Sequence, residues 1–99
     1  MSSTLKALRA LSDSTRLRIM ALLERDELSV NELQEITRMG QSRISTHLRL
    51  LQEATLLQSR REGKRTFYRL NENADPSARE IIALAVKGAH ELRSTKATA

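Results

Sequence analysis

Leu5, Leu8 and Leu11 recur every three residues, the step that keeps side chains on one face of a helix, and predict a short first helix. Asp13-Ser14 interrupts the pattern with two good capping side chains, so a second helix is expected over Thr15 to Glu24. Its apolar residues, Leu17, Ile19, Met20, Leu22 and Leu23, cover much of the circumference and place it at the centre of the packing. Ser29-Val30-Asn31-Glu32 has the spacing of a capping box, so a third helix starts there with Leu33 and Ile36 facing inward, and Arg38-Met39-Gly40 ends it. From Gln41 to Glu53, Ile44, Leu48 and Leu51 fall at i, i+4 and i+7 and make one apolar stripe. Ser42, Ser45, Thr46 and Arg49 project from the opposite side, with Gln41 and Arg43 at its edges.

After Glu53 the period changes. Leu56 to Arg60 and Thr66 to Leu70 are predicted as two strands joined by a tight Arg61-Glu62-Gly63-Lys64-Arg65 connection, a β-hairpin with a basic tip. Asp75-Pro76 supplies a cap and a proline at the first helical position, which opens a last helix running to about Arg93 and leaves a frayed tail, residues 94–99. Ile81, Ile82, Leu84, Ala85, Val86, Ala89 and Leu92 make that helix apolar over more than one face. A surplus of this kind needs a second surface to cover it, and a two-fold dimer is the usual answer. Its expected contacts are Leu5, Leu8, Ile81, Leu84, Ala85, Gly88 and Leu92, Gly88 allowing close approach.

The expected fold is mostly α with a small β-hairpin (α+β): a winged helix-turn-helix of about five helices and a two-stranded wing. Ninety-nine residues build one core, and with no repeat and no Gly/Pro-rich boundary the chain is expected to form a single domain, 1–99, with dimerisation helices at both ends. Phe67 and Tyr68 are the only aromatics, which disfavours an all-β sandwich. The lack of cysteine excludes disulfides, thiolate metal ligands and cysteine nucleophiles, and fits a reducing compartment. Without an apolar run near the roughly 18 residues that cross a bilayer, and with no basic-then-apolar start, the expected location is the cytoplasm, at the nucleoid.

The charge has one source. Basic and acidic residues cancel over residues 1–40 and over 71–99. Residues 41–70 carry Arg43, Arg49, Arg60, Arg61, Lys64, Arg65 and Arg69 against Glu53 and Glu62, which is the entire net charge of +5. Such a patch attracts polyanions through counterion release. Glutamine, serine, threonine and arginine on one helix face bond base edges and phosphates, where an ordinary solvated face more often carries Glu and Lys. Gln41, Ser42, Arg43, Ser45, Thr46 and Arg49 are therefore the candidate reading face. Arg60, Arg61, Lys64 and Arg65 are the candidate backbone contacts of the wing. A solvated basic face without a partner, and a winged helix that binds an acidic protein, remain the alternatives.

These residues together resemble the ArsR-type (arsenic-repressor-like) winged helix-turn-helix regulators over about residues 4–92. The resemblance rests on Leu8-x-x-Leu11-Ser12-Asp13-x-Thr15-Arg16-Leu17-x-Ile19, Glu27-Leu28-Ser29-Val30-x-Glu32-Leu33, Gln41-Ser42-x-Ile44-Ser45-x-His47-Leu48-x-x-Leu51 and Arg60-Arg61-Glu62-Gly63-Lys64-x-x-x-Tyr68. Three positions depart from the pattern: Ser14 for proline, Gly40 for a serine cap, and Thr55 for the glycine after the fourth helix. Thr55 is the uncomfortable one, because a β-branched residue resists a left-handed helix end. The resemblance implies a dimeric DNA-binding repressor that occupies an operator, an inverted repeat in double-stranded DNA. His47 stands at a position common in the family, and its angle beside the apolar stripe favours a structural histidine over a base contact. Many relatives release DNA on binding a metal. Here only His90-Glu91 stands on the last helix, short of the three or four ligands required, so no metal site and no cofactor are expected. No catalytic residue is expected either, since the chain lacks a nucleophile elbow and a phosphate-cradling glycine loop. Because some relatives are fused ahead of an S-adenosylmethionine-dependent methyltransferase, a regulatory half of a longer chain is the further alternative.

Overall fold

The computed structural model describes the backbone of residues 3–98 and the side chains of residues 4–92. The chain begins with α1 (Ser3–Ala10) and α2 (Ser14–Arg25), continues through a two-residue strand β1 (Leu28–Ser29) into α3 (Val30–Thr37) and α4 (Gln41–Glu53), and then forms β2 (Leu57–Glu62), β3 (Arg65–Leu70) and α5 (Pro76–Thr98). The helix starts follow the capping chemistry. Asp13 accepts the Arg16 N–H at 3.0 Å, and Asp75 accepts that of Ala78 at 2.8 Å. At α3 the capping box is complete: the Ser29 hydroxyl accepts the Glu32 N–H, and the Glu32 carboxylate accepts the Ser29 N–H. The last helix runs through Thr98, past its expected end near Arg93, and the expected fraying falls on residues whose side chains lie outside those described.

The helix ends are less conventional. Arg38 closes α3 in the left-handed region at φ 62°, its N–H bonded to the Gln34 carbonyl at 2.8 Å. Thr55 closes α4 at φ 61°. Its N–H reaches the Gln52 carbonyl at 2.9 Å and the Leu56 N–H reaches that of Leu51 at 3.0 Å, the bond pair of a Schellman motif whose left-handed position is normally glycine.

Ile19, Met20, Leu33, Ile44, Leu48, Leu51 and Leu56 are fully buried. They join residues of α1, β1, β2 and α5 in one core, with α2 packed on α4, α5 and β3 as its even spread of apolar residues predicts. Ile36 departs from expectation. Leu33 anchors α3, whereas Ile36 lies about 60° around the helix, at its last turn, and is 41% exposed.

The sheet has three strands, not two, in the order β1-β3-β2, all antiparallel. Leu28 pairs with Tyr68 and Ser29 with Phe67, so the residue that caps α3 also extends the wing sheet. The connection between β2 and β3 is Gly63-Lys64 alone, because pairing continues out to Glu62 and Arg65. Gly63 takes φ 62°, as the first turn position of a type II′ hairpin demands. Arg61 and Arg65 are thus strand residues near the tip, and Lys64 is the only cation in the turn.

On α5, Ile82, Ala85, Val86 and Ala89 repeat at i, i+3, i+4 and i+7 and are buried within the protomer. Ala85 is accordingly a core residue of the single chain, in place of the exposed contact expected, and Ile81 is half-buried against the same core.

Candidate nucleic-acid interface

α4 stands with Ile44, Leu48 and Leu51 sealed in the core and Gln41, Ser42, Arg43, Ser45, Thr46 and Arg49 all exposed, so one continuous polar face is presented. Two of the six are engaged within the helix. The Thr46 hydroxyl donates to the Ser42 carbonyl at 3.0 Å, and Arg49 bonds Glu53 one turn on at 3.1 Å. The side chains of Gln41, Ser42, Arg43 and Ser45 make no hydrogen bond or ion pair among the described residues, which leaves their donors and acceptors available to a ligand. Gly40 caps α4 without a side chain, so the first N–H groups of the helix have no side-chain acceptor and carry the positive end of its dipole.

The wing faces this end. A cleft of about 170 Å³ lies between Gln41, the start of α3 at Ser29, Val30 and Asn31, and the wing residues Lys64, Arg65 and Thr66. Two cations and an uncapped helix start on opposite walls make a surface suited to a phosphate. Asn31 and Thr66 were not legible as part of it. The signal for Thr66 lies in the register, which sets it opposite Arg61, and that register depends on the turn length.

Arg60 is not a free cation of the wing. Its Nε donates to Glu27 Oε1 at 2.8 Å, its Nη1 to Glu62 Oε2 at 2.6 Å, and its guanidinium lies 4.6 Å from the centroid of the Phe67 ring, the residue it opposes across the ladder. The hydrogen bond from Arg60 holds the Glu27 carboxyl below the usual carboxylate range. Arg60 therefore fastens the wing to the segment before β1, and its guanidinium is already shared between two carboxylates. Arg61, with one long 3.4 Å bond to the Gly63 carbonyl, Lys64 and Arg65 stay exposed.

Three bonds that spacing could not foretell hold α4 against its neighbours. Gln52 Nε2 donates to the Ser59 hydroxyl at 2.9 Å, and Asn71 Nδ2 to the Thr55 carbonyl at 2.8 Å, joining the far end of α4 to the base of the wing. At mid-helix, half-buried His47 meets Arg16 of α2, Nη1 to Nδ1 at 3.2 Å. Burial, reinforced by Arg16 and Arg43 and opposed by Asp13, holds the imidazole below its usual pKa, so His47 is a neutral acceptor for Arg16. Arg16 Nε also donates to the Ala10 carbonyl, which ties α4 through α2 to the end of α1.

Away from this face, Leu5 and Leu8 on α1 and Leu84 and Leu92 on α5 are 42 to 66% exposed. Leu84, Gly88 and Leu92 form an i, i+4, i+8 stripe, and a Cβ added at Gly88 would meet nothing within 4 Å. Among the described residues no three His, Cys, Asp or Glu side chains converge, and His90 lies 3.7 Å from Glu24 alone. No helix of the described residues is long and apolar enough to cross a membrane.

A helix-turn-helix whose second helix is backed by a three-stranded sheet, with the outer hairpin beside that helix, defines a winged-helix protein. The family model for bacterial regulatory proteins of the arsR family matches residues 13–59. The arsenic resistance transcriptional regulator ArsR1 of Pseudomonas putida is 42% identical over 81 residues, 81% of this chain and 60% of that protein. The transcriptional activator HlyU of Vibrio cholerae is 33% identical over 76% of this chain and 69% of its own. Among solved structures, HlyU from Vibrio cholerae superposes with a TM-score of 0.74 at 31% identity, covering 91% of this chain and 90% of that one. The homodimeric winged helix-turn-helix DNA-binding domain Mb0332 of Mycobacterium bovis gives 0.74 at 29% identity, covering 87% and 78%. The chain belongs to the arsR family of bacterial regulatory proteins. It spans about half to two-thirds of the length of the curated relatives it matches.

Proposed function

We propose that this chain is a sequence-specific double-stranded DNA-binding regulator that works in the cytoplasm, at the nucleoid, as a homodimer and without enzymatic activity. Residues 1–99 act as one domain: α4 enters the major groove of an inverted-repeat operator, the wing follows the phosphate backbone, and promoter occupancy represses transcription. The observation that carries this reading is the outer face of α4, where Gln41, Ser42, Arg43 and Ser45 are exposed and unpaired beside an uncapped helix start and a basic cleft. Glutamine pairs bidentately with adenine, and arginine with guanine or phosphate, while the hydroxyls suit either. A dimer is supported by the exposed leucines of α1 and α5 and by the homodimeric Mycobacterium bovis neighbour.

The test begins by selecting bound fragments from genomic DNA with the purified chain. Gln41→Ala and Ser45→Ala are then measured on the best site and on random duplex. Each should cost about 1 to 3 kcal/mol on the site while leaving random-duplex affinity nearly intact. If both variants keep the full sequence preference, α4 does not read bases.

A further inference from the structure

A large cleft lies at the end of α4 opposite the wing tip, where α1 and the start of α2 meet the last turn of the helix. It encloses about 460 Å³ and is lined by Lys6, Arg9, Ala10, Arg16, Leu50 and Glu53. That volume is in the range of small-molecule sites. Three of its six lining residues are cations. Its one carboxylate, Glu53, is already paired with Arg49, whereas Lys6 and Arg9 make no ion pair among the described residues. Ala10 and Leu50 supply an apolar floor. The charge excess and the floor together select an amphipathic anion: a carboxylate held by the cations, carrying an apolar body that packs on Leu50 and the Ala10 methyl.

The position matters as much as the chemistry. On α1, Lys6 and Arg9 lie round the helix from Leu5 and Leu8, so the cleft borders the exposed apolar seam. Arg16, whose side chain is only 15% exposed, is the same residue that bonds His47 of α4 and the Ala10 carbonyl at the end of α1. Arg16 Nη1 also stands 3.9 Å from Asp13, so an anion in the cleft competes with one distant carboxylate and two neutral acceptors for the guanidinium, and a close bidentate carboxylate is the stronger partner.

We propose that this cleft binds a small amphipathic carboxylate and that its occupancy draws Arg16 from His47, loosening α4 and weakening DNA binding. The regulatory half rests on the DNA-binding reading above; the binding half does not. Octanoate is titrated into the ¹⁵N-labelled chain, with octanol and inorganic phosphate as matched probes that lack, respectively, the charge and the apolar body. Octanoate should shift the amides of Lys6, Arg9, Ala10, Leu50 and Glu53 saturably, and bind at least tenfold tighter than either control. Lys6→Gln/Arg9→Gln, at two exposed positions, should weaken it at least tenfold without moving the melting midpoint. Equal binding of octanol, equal binding of phosphate, shifts centred on Leu84 and Leu92, or an unaffected double variant would each overturn the site. Saturating octanoate should lower the wild-type chain's operator affinity at least threefold and leave that of the double variant unchanged. An unmoved wild-type affinity alongside saturable binding overturns the coupling, whereas a chain that binds octanoate but no DNA at any salt concentration overturns the DNA-binding reading alone.

Discussion

Thr55 shows how a single residue can work against its backbone. The Schellman geometry at the end of α4 requires φ near +60°, a region in which a non-glycine residue costs about 1 to 3 kcal/mol, and β-branching places Thr55 among the costly cases. Its side chain is exposed and makes no hydrogen bond among the described residues, so nothing local offsets the strain. Thr55→Gly removes the steric conflict but adds roughly 0.5 to 1 kcal/mol of unfolded-state entropy. A net gain of about 1 kcal/mol is expected, seen as a higher urea midpoint at constant m. Arg38→Gly, at the other left-handed position, should gain less because arginine is unbranched at Cβ. A Thr55→Gly variant no more stable than the parent would show that the strain is relieved elsewhere. The motif departure at this position is visible in the sequence; that the chain adopts the left-handed turn anyway is not, because it goes with the burial of Leu56 directly after the turn.

At the scale of elements, legibility followed capping and periodicity. The starts of α3 and α5 are written in side chains that bond their own backbone, so they were readable to the residue. The third strand was not, because two residues, Leu28 and Ser29, cannot display an alternation, and the pairing that makes them a strand is supplied by residues about forty positions away. The hairpin turn was overestimated for a related reason. Beyond Arg60 the wing leaves the core, both faces are polar, and hydrophobic pattern no longer marks the strand. The candidate wing cations consequently divide into two groups with separable behaviour. Arg61→Ala/Lys64→Ala should lower the slope of log K against log salt by about 1.8 on specific and random duplex alike, at about 0.9 per lost phosphate contact, with the melting midpoint unchanged. Arg60→Gln should lower the midpoint, as should Glu27→Gln, and combining the two should do little more than Arg60→Gln alone because the Glu27 pair is already lost in it. Additive losses from that pair would remove the fastening role.

For the whole molecule, the chemistry segregates: the net positive charge lies on α4 and the wing, and the uncovered leucines on α1 and α5. Charge and apolar surplus were both readable from the sequence, but their division of α5 was not. Ala85 is buried in the protomer's own core and Ile81 is half-buried against it, so the apolar surface left for the proposed seam is chiefly Leu5, Leu8, Leu84 and Leu92. Leu84 is the most exposed of them at 66%, which makes Leu84→Glu a change that leaves the core untouched. Burying such a leucine fully contributes about 1.5 to 3 kcal/mol, and a charge there must be desolvated on association. Leu84→Glu should sediment as a folded monomer and lose most operator affinity, while the parent dimer protects two half-sites whose centres lie about 10 bp apart or a multiple of it. Full affinity for one isolated half-site, with the parent sedimenting as a monomer, would exclude the dimer.

Ser29 belongs to two elements at once, capping α3 and pairing with Phe67 of the wing sheet, with Arg60 and Glu27 closing the same junction. A hairpin hung from a flexible tether would have to be immobilised at each encounter, and that ordering would be subtracted from every binding event. Here the angle between hairpin and helices is set when the chain folds. The conformational entropy is surrendered once, in folding, so on the DNA-binding reading proposed above the two surfaces meet a duplex already aligned.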